Sequence, residues 1–135
     1  KGELGNYHNK NNSIESSKFE GLINYKYSIC IENMQRINYF SEKFTDTILC
    51  YTIPIYYGCP NIEEYFPKDC YYVIDINDVN VFDKIKEIIN KPITEKQIKA
   101  IHEARDLILN KYNIWATTDK ILKNHYLNDT LKLDI

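Results

Sequence analysis

Residues 25–58 read YKYSICIENMQRINYFSEKFTDTILCYTIPIYYG, and their pattern predicts the fold. Tyr25–Glu32 combines alternation with an apolar centre, which is typical of a strand. Tyr39–Tyr51 spaces its apolar residues as a helix does, and Asn38 is the predicted N-cap of that helix. Thr52–Tyr57 is short, apolar and rich in β-formers, and a glycine turn follows it. The stretch therefore predicts a strand, a helix and a second, buried strand.

The remainder of the chain continues this alternation. A loop at Cys59–Lys68 leads to a third predicted strand at Cys70–Ile76, and Asn80–Asn90 is a predicted helix with Asn80 as its N-cap. Ile114–Tyr126 is the last predicted helix. Strands that alternate with helices indicate an α/β fold, in which helices cover both faces of a parallel sheet.

The strongest helix signal begins at Thr94. Thr94-x-x-Gln97 has the form of a capping box, in which the two side chains satisfy each other's backbone N–H groups. Asn113 is expected to end this helix. Its predicted apolar stripe comprises Ile98, Ile101, Arg105, Ile108, Leu109 and Tyr112.

Composition sets the broad class of the protein. The chain has 135 residues, of which 44% are hydrophobic and 27% charged, enough for one domain with a core. We expect a linker or loop at residues 1–17, the domain at 18–126 and a tail at 127–135. A net charge of −2 does not favour nucleic acid, and no apolar stretch is long enough to span a bilayer.

The four cysteines do not suggest a metal site. Cys30, Cys50, Cys59 and Cys70 form no CxxC pair, and no histidine lies at zinc-ligand spacing from them. Cys30 and Cys50 are predicted to be buried thiols in a reduced compartment. The expected location is the cytoplasm with at most peripheral membrane association, or the Golgi lumen if the source is eukaryotic.

Ligands of parallel α/β sheets bind beyond the carboxyl ends of the strands. Those ends are Glu32-Asn33, Gly58 to Glu63, and Asp75 to Asp78. The third is interpreted as a strand end and turn, and no DxD-like metal motif is present in the sequence. The first two ends are therefore the candidate ligand site.

Tyr39, Glu42 and Lys43 have the spacing of one helical face and are predicted to lie in the first turns of a helix. A helix start attracts phosphate, and Lys43 would add a full charge against a diphosphate. The Glu42 carboxylate suits a ribose diol, while Ser41 and Tyr39 offer hydroxyl donors. The simpler alternative is that Glu42 and Lys43 are an ordinary solvent-exposed pair.

Three blocks of the sequence resemble the family-10 α-1,3-fucosyltransferases. They read YKYSICIEN at 25–33, NYFSEKF at 38–44 and TIPIYYGCPNIEEYFPKD at 52–69, in the order and with the spacing of the family's central motif. The resemblance covers residues 18–126. Its departures from the usual residues are Ile31 for Phe, Met34 for Ser, Phe40 for Val and Ser41 for Thr.

The resemblance implies a Rossmann-like domain, the C-terminal half of a GT-B type glycosyltransferase, that binds GDP-fucose. Glu42 would hold the ribose hydroxyls and Lys43 the diphosphate, while Glu32 would contact the fucose or order the loop. The donor-binding residues implied in this way are Glu32, Asn33, Tyr39, Ser41, Glu42, Lys43, Tyr57, Gly58 and Asn61.

The family is inverting, so a carboxylate base must take the acceptor's hydroxyl proton. The resemblance places that base in an N-terminal, acceptor-binding half, so no catalytic residue and no metal ligand is expected here. GDP-fucose is the expected donor and no further cofactor is required. The expected partners are this nucleotide sugar and, through the N-terminal half, a glycan acceptor. We expect the chain to bind nucleotide but not to turn over alone.

Two alternatives stay open at the level of sequence. The chain could use another nucleotide sugar, or it could be a non-catalytic nucleotide- or protein-binding module of the same fold. An apolar surface over Trp115 and the last helix would favour a protein-binding module. For Trp115 itself, packing in the core or docking to another domain is expected rather than ligand contact.

Overall fold

The computed structural model describes the backbone of residues 14–130 and the side chains of residues 18–125. Three strands and five α-helices alternate along this part of the chain, with short 3-10 turns at Ile62–Glu64 and Lys68–Cys70. The elements are α1 Ile14–Ile23, β1 Tyr27–Ile31, α2 Glu42–Leu49, β2 Ile53–Tyr57, β3 Tyr72–Val73, α3 Val81–Asn90, α4 Glu95–Asn110 and α5 Ile114–Thr130. The predicted α/β class is confirmed.

The strands form a parallel sheet in the order β1-β2-β3. Tyr27 pairs with Ile53 and Ile31 with Tyr57, so β1 and β2 end side by side. The first four residues of β2 are buried, as expected for a central strand covered by helices. This pairing brings the two candidate strand ends together.

Two apolar clusters hold the helices to the sheet. The larger joins Phe44 and Ile48 of α2 to Ile101 and Ala104 of α4. The smaller consists of Ile55, Ile74 and Ile88, and the last of these belongs to α3. Because Phe44 and Ile48 are completely buried, the position of α2, and hence of its first residue, is set by the core.

The helix predicted at Tyr39–Tyr51 is shorter than expected and has a different N-cap. It begins at Glu42, and the Ser41 side chain accepts a hydrogen bond from the Lys43 N–H. Asn38 cannot cap it, because an N-cap adopts extended backbone angles and Asn38 has a φ of 62°. The prediction that Tyr39 shares a helical face with Glu42 and Lys43 was therefore wrong.

The third strand is also shorter than predicted. Only Tyr72 and Val73 pair with β2, and Cys70 ends a 3-10 turn instead. The Ile74 N–H still donates to the Tyr56 carbonyl at 2.9 Å. The backbone then turns away from the sheet, so the rest of the predicted strand has no ladder.

The capping box of α4 is confirmed. Thr94 accepts from the Gln97 N–H, and the Gln97 side chain accepts from the Thr94 N–H at 3.0 Å. The predicted stripe was wrong at Ile98 and Leu109, which are about half exposed. The buried residues of the helix are Gln97, Ala100, Ile101, Ala104 and Ile108.

The other helix ends differ in smaller ways. Asn80 occupies the N-cap of α3 as predicted, but its side chain makes no capping hydrogen bond. Helix α4 ends at Asn110, and Asn113 instead accepts from the Ala116 N–H near the start of α5. Helix α1 begins at Ile14, so it includes the end of the segment expected to be a loop. Residues 1–13 and 131–135 lie outside the described range.

All four cysteines are buried and free, as predicted for Cys30 and Cys50. Trp115 is 82% exposed, so of its two expected roles packing in the core was wrong, and docking to another domain stays a prediction. None of the described helices is both long enough and apolar enough to cross a membrane.

Candidate functional site

The candidate site lies where β1 and β2 end. Because these strands are parallel and in register, Glu32 follows β1 directly beside the last residue of β2. The Glu32 N–H donates to the Tyr57 carbonyl at 2.8 Å, which extends the ladder by one bond. The loops that follow the two strands therefore start from a common, rigid edge.

Glu32 is the organising residue of the first loop. It is only 2% exposed, and its carboxylate accepts from the Ser41 N–H at 2.8 Å and from the Ser41 hydroxyl at 2.7 Å. These two bonds tie the end of β1 to the N-cap of α2. A buried carboxylate requires such partners, because it has lost its hydration. Of the two roles that the resemblance allowed for Glu32, the geometry matches the ordering of the loop.

Lys43 lies at the same strand end. Its ammonium nitrogen is 3.7 Å from Glu32 Oε2, and its side chain is 37% exposed. The side chain also lines a cavity of about 450 Å³ together with Ser28, Ile29 and Cys30. Lys43 therefore presents a positive charge at the start of α2, beside Glu32. The cavity extends along β1 toward α1, whose Lys18, Gly21 and Leu22 also line it, and Lys43 is the predicted donor-binding residue among its lining.

The second strand end is tightly packed against the first. A Cβ added to Gly58 would lie 2.5 Å from Glu32 Cγ and 2.4 Å from the Tyr56 hydroxyl, so this position requires glycine. The Tyr56 hydroxyl accepts from the Cys59 N–H at 2.9 Å. Burial raises the pKa of Tyr56, so this phenol stays protonated at any physiological pH.

Asn61 faces the first loop. Its Oδ1 accepts from the Asn38 N–H at 2.9 Å, and its Nδ2 donates to Asn38 Oδ1 at 2.8 Å. The Tyr65 hydroxyl donates to the same Asn38 oxygen at 2.7 Å. The two strand-end loops are thus joined to each other by side-chain amides.

The remaining predicted residues lie around these contacts. Asn33 and Glu42 are exposed at the two ends of the first loop. Within the described part of the chain, neither side chain makes a hydrogen bond to another side chain. Tyr39 is half-buried, and its N–H donates to the Arg36 carbonyl in a turn before α2. Tyr57 is half-buried and packs against the cluster of Ile55, Ile74 and Ile88.

Sequence reasoning missed three residues that shape the site. Asn38 was assigned only a capping role, and Tyr56 and Tyr65 were not singled out at all. One signal was available for Asn38, since asparagine is among the few residues that tolerate a positive φ before a helix. The tyrosine contacts carry no local signal, because they depend on how the two loops meet.

The described residues contain no cluster of three or more His, Cys, Asp or Glu side chains arranged to hold a metal ion. Among the described residues, Lys43 supplies a full positive charge at the start of α2, and Arg36 lies in the loop before it. The first N–H groups of α2 add a partial positive charge, although the Lys43 N–H is already bound to the Ser41 hydroxyl.

Comparison with known proteins extends the match beyond the three motif blocks. Residues 3–127 match the family model described as glycosyltransferase family 10 (fucosyltransferase), C-terminal. No solved structure matches the chain significantly.

Three curated relatives illustrate the similarity. An α-(1,3)-fucosyltransferase of Helicobacter pylori is 36% identical over 81 residues, which are 59% of this chain and 16% of that protein. α-(1,3)-Fucosyltransferase B of Drosophila melanogaster is 33% identical over 114 residues, 84% of this chain and 25% of the relative. A GDP-fucose protein O-fucosyltransferase 3 of Xenopus tropicalis is 29% identical over 62 residues, 45% of this chain and 13% of the relative. The chain thus spans a quarter or less of the length of these relatives.

Proposed function

Because the chain belongs to glycosyltransferase family 10 and matches the C-terminal domain of its fucosyltransferases, we propose that it binds GDP-fucose for an inverting α-1,3-fucosyl transfer. The proposal rests on one observation above all. The Lys43 ammonium and the first N–H groups of α2 lie together at the carboxyl end of β1, beside a cavity. That is where a parallel α/β sheet binds a diphosphate.

The chemistry asked of these residues is the stabilisation of a leaving group. When the bond from fucose to GDP breaks, the diphosphate gains negative charge, which Lys43 and the helix N–H groups neutralise. The exposed Glu42 carboxylate accepts hydrogen bonds from the ribose hydroxyls. Asn33 and Tyr39, in the loop before α2, contact the donor from the other side of Lys43 in this proposal.

Glu32 has an indirect role in this proposal. Its carboxylate is committed to Ser41, so it sets where α2 begins and keeps Lys43 at the strand end. A bound diphosphate competes with Glu32 for the Lys43 ammonium, which is 3.7 Å away and partly exposed. When the lysine turns to the ligand, the buried Glu32 carboxylate keeps its two hydrogen bonds from Ser41.

The other half of the reaction belongs to a separate region in this proposal. Inversion needs a carboxylate base that takes the proton of the acceptor hydroxyl. We assign that base and the glycan acceptor site to an N-terminal half, as the family resemblance implies. The chain by itself then binds nucleotide without transferring fucose.

Calorimetric titration of the chain with GDP, UDP and CMP tests the donor site. We expect GDP to bind and Lys43→Ala to weaken it about tenfold or more, as for a lost charged hydrogen bond. Lys96→Ala is the matched control, because Lys96 is an exposed lysine on α4 that pairs with Asp69. Binding of UDP without GDP would rule out the fucose donor, and unchanged GDP affinity in Lys43→Ala would rule out the site.

One observation favours a second candidate, a protein-binding module. Helix α5 exposes several large apolar side chains, namely Ile114, Trp115, Ile121 and Leu122. Large exposed apolar surfaces commonly mark interaction sites. Failure of all three nucleotides to bind, with α5 substitutions such as Trp115→Ser abolishing self-association or partner binding, would favour this function.

A further inference from the structure

The loop at residues 33–41 carries Asn33 and Tyr39 and leads into the first turn of α2. Its middle is far from the core, since Met34 is 54% and Ile37 64% exposed. A loop with so little buried surface takes its conformation from its points of attachment. Those attachments therefore decide how Asn33 and Tyr39 are placed beside the start of α2.

Three attachments hold the loop. Ser41 is bound by the Glu32 carboxylate. The Phe40 ring packs edge-on against Tyr65, Phe66 and Tyr112 at 5.1 to 6.3 Å between centroids. The third attachment is the Asn38–Asn61 amide pair, which joins this loop to the loop that follows β2 through hydrogen bonds.

The orientation of both amides follows from their neighbours. The Asn38 N–H can only donate, so the Asn61 atom 2.9 Å from it must be the oxygen. The Asn61 nitrogen then faces Asn38, whose facing atom must accept and so is its oxygen. The Tyr65 hydroxyl completes the arrangement by donating to that oxygen. Each hydrogen-bond donor in this arrangement therefore faces an acceptor oxygen.

The backbone conformation of Asn38 gives a second reason for an asparagine at this position. Its φ of 62° lies in the left-handed region, which costs most residues about 1 kcal/mol or more and is tolerated by Gly and Asn. Glycine would satisfy the backbone alone. Asparagine satisfies the backbone and also supplies the oxygen that Asn61 and Tyr65 use.

We propose that Asn38 and Asn61 are positioning residues that lock the loop before α2 against the loop after β2, so that Asn33 and Tyr39 of this loop are held beside Lys43, ready for the nucleotide. This inference rests on the proposed function of the same site. It gives Asn61 an indirect role, because its oxygen and one amide hydrogen are used on Asn38 and Cys59 and not on a ligand.

The test compares variants of the full chain that separate backbone from side chain. Asn38→Gly keeps the left-handed conformation and removes the acceptor, while Asn61→Ala removes the partner. We expect each to weaken GDP binding about five- to tenfold, the size of one or two lost hydrogen bonds. The double variant should be no weaker than the worse single variant, because both remove the same contact.

Amide hydrogen exchange without nucleotide gives a second, independent measure. Asn38→Gly and Asn61→Ala should speed exchange over residues 39–43, and Asn38→Asp should not, since Asp keeps the acceptor oxygen and tolerates the same φ. The Asn38→Asp variant is assessed by hydrogen exchange alone, because its added negative charge repels the anionic GDP whether or not the loop is ordered. Thr94→Ala is the control, since it destabilises α4 without touching either loop.

The outcomes are distinguishable. Failure of the unsubstituted chain to bind GDP overturns the proposed function, and exchange alone then decides whether the pair orders the loop. Normal GDP binding and unchanged exchange in Asn38→Gly overturn the pair's positioning role only. An equal loss of GDP affinity in Thr94→Ala would also overturn it, because the effect would then be one of general stability.

Discussion

Glu32 illustrates how a single residue can be placed correctly and still be interpreted incompletely. Its position at the end of a strand predicts that it lies at the candidate site, and it does. Its side chain is nevertheless completely buried and accepts both hydrogen bonds that Ser41 offers. A carboxylate in this state holds the loop in place, and Lys43 is the charged group beside it that stays partly exposed.

We predict that Glu32→Ala lowers the free energy of unfolding by about 1–3 kcal/mol, since it leaves the Ser41 N–H and hydroxyl unpaired in a buried site. Glu32→Gln should cost less, because its amide oxygen can still accept from the Ser41 N–H. Urea unfolding measures both. Glu63→Ala, at an exposed glutamate, should change the value by less than about 0.5 kcal/mol. A Glu32→Ala variant as stable as Glu63→Ala would contradict the anchoring role.

At the scale of the element, helix starts were predicted well only where the signal is local. Thr94 and Gln97 carry their capping box within four residues, and the structure contains it. For α2, the predicted N-cap was Asn38, whereas the residue that caps the helix in the structure is Ser41. The choice between them depends on Glu32 and Asn61, which hold Ser41 and Asn38 in different backbone conformations.

Thr94→Ala should destabilise the chain by about 1 kcal/mol, the usual cost of removing an N-cap side chain. Thr94→Ser keeps the hydroxyl and should remain close to the parent in urea unfolding. Gln97 does more than cap, because its Nε2 also donates to the Tyr72 hydroxyl at 2.9 Å. Gln97→Ala should therefore cost more than Thr94→Ala, and the reverse order would show that the bond between α4 and β3 contributes little.

At the scale of the whole molecule, the buried groups with shifted pKa values are thiols and phenols. Burial raises the pKa of Cys70 from 9.0 to about 12 and that of Tyr71 from 10.0 to about 12. Burial also raises the pKa of Cys30 and of Tyr56. All four shifts have the same sign, so their effects on stability add.

We therefore predict that the chain loses stability in alkali. Well below pH 9, the ordinary pKa of a thiol, these groups are neutral in both states and contribute no pH dependence. Above it the unfolded chain releases protons that the folded chain retains up to about pH 12, so the free energy of unfolding falls as pH rises through this window. Urea unfolding at about pH 7, 9 and 10.5 measures the effect.

Cys70→Ala provides the matched variant. It should be less stable than the parent at neutral pH, because it leaves a small cavity, but the difference should shrink above about pH 9. A free energy of unfolding that stays constant to about pH 10.5 would contradict the prediction. So would a difference between parent and variant that does not depend on pH.

By itself, the amino-acid sequence determined the α/β class, the order of the elements, the capping box of α4 and the strand ends at which to look for a ligand. These features follow from periodicity and from residues within a few positions of one another. Only the tertiary structure decided that Glu32 points inward, that Ser41 caps α2, and that Asn38 meets Asn61 across 23 positions of the chain. Such contacts arise because two parallel strands end in register, and no local propensity encodes which side chains will meet there.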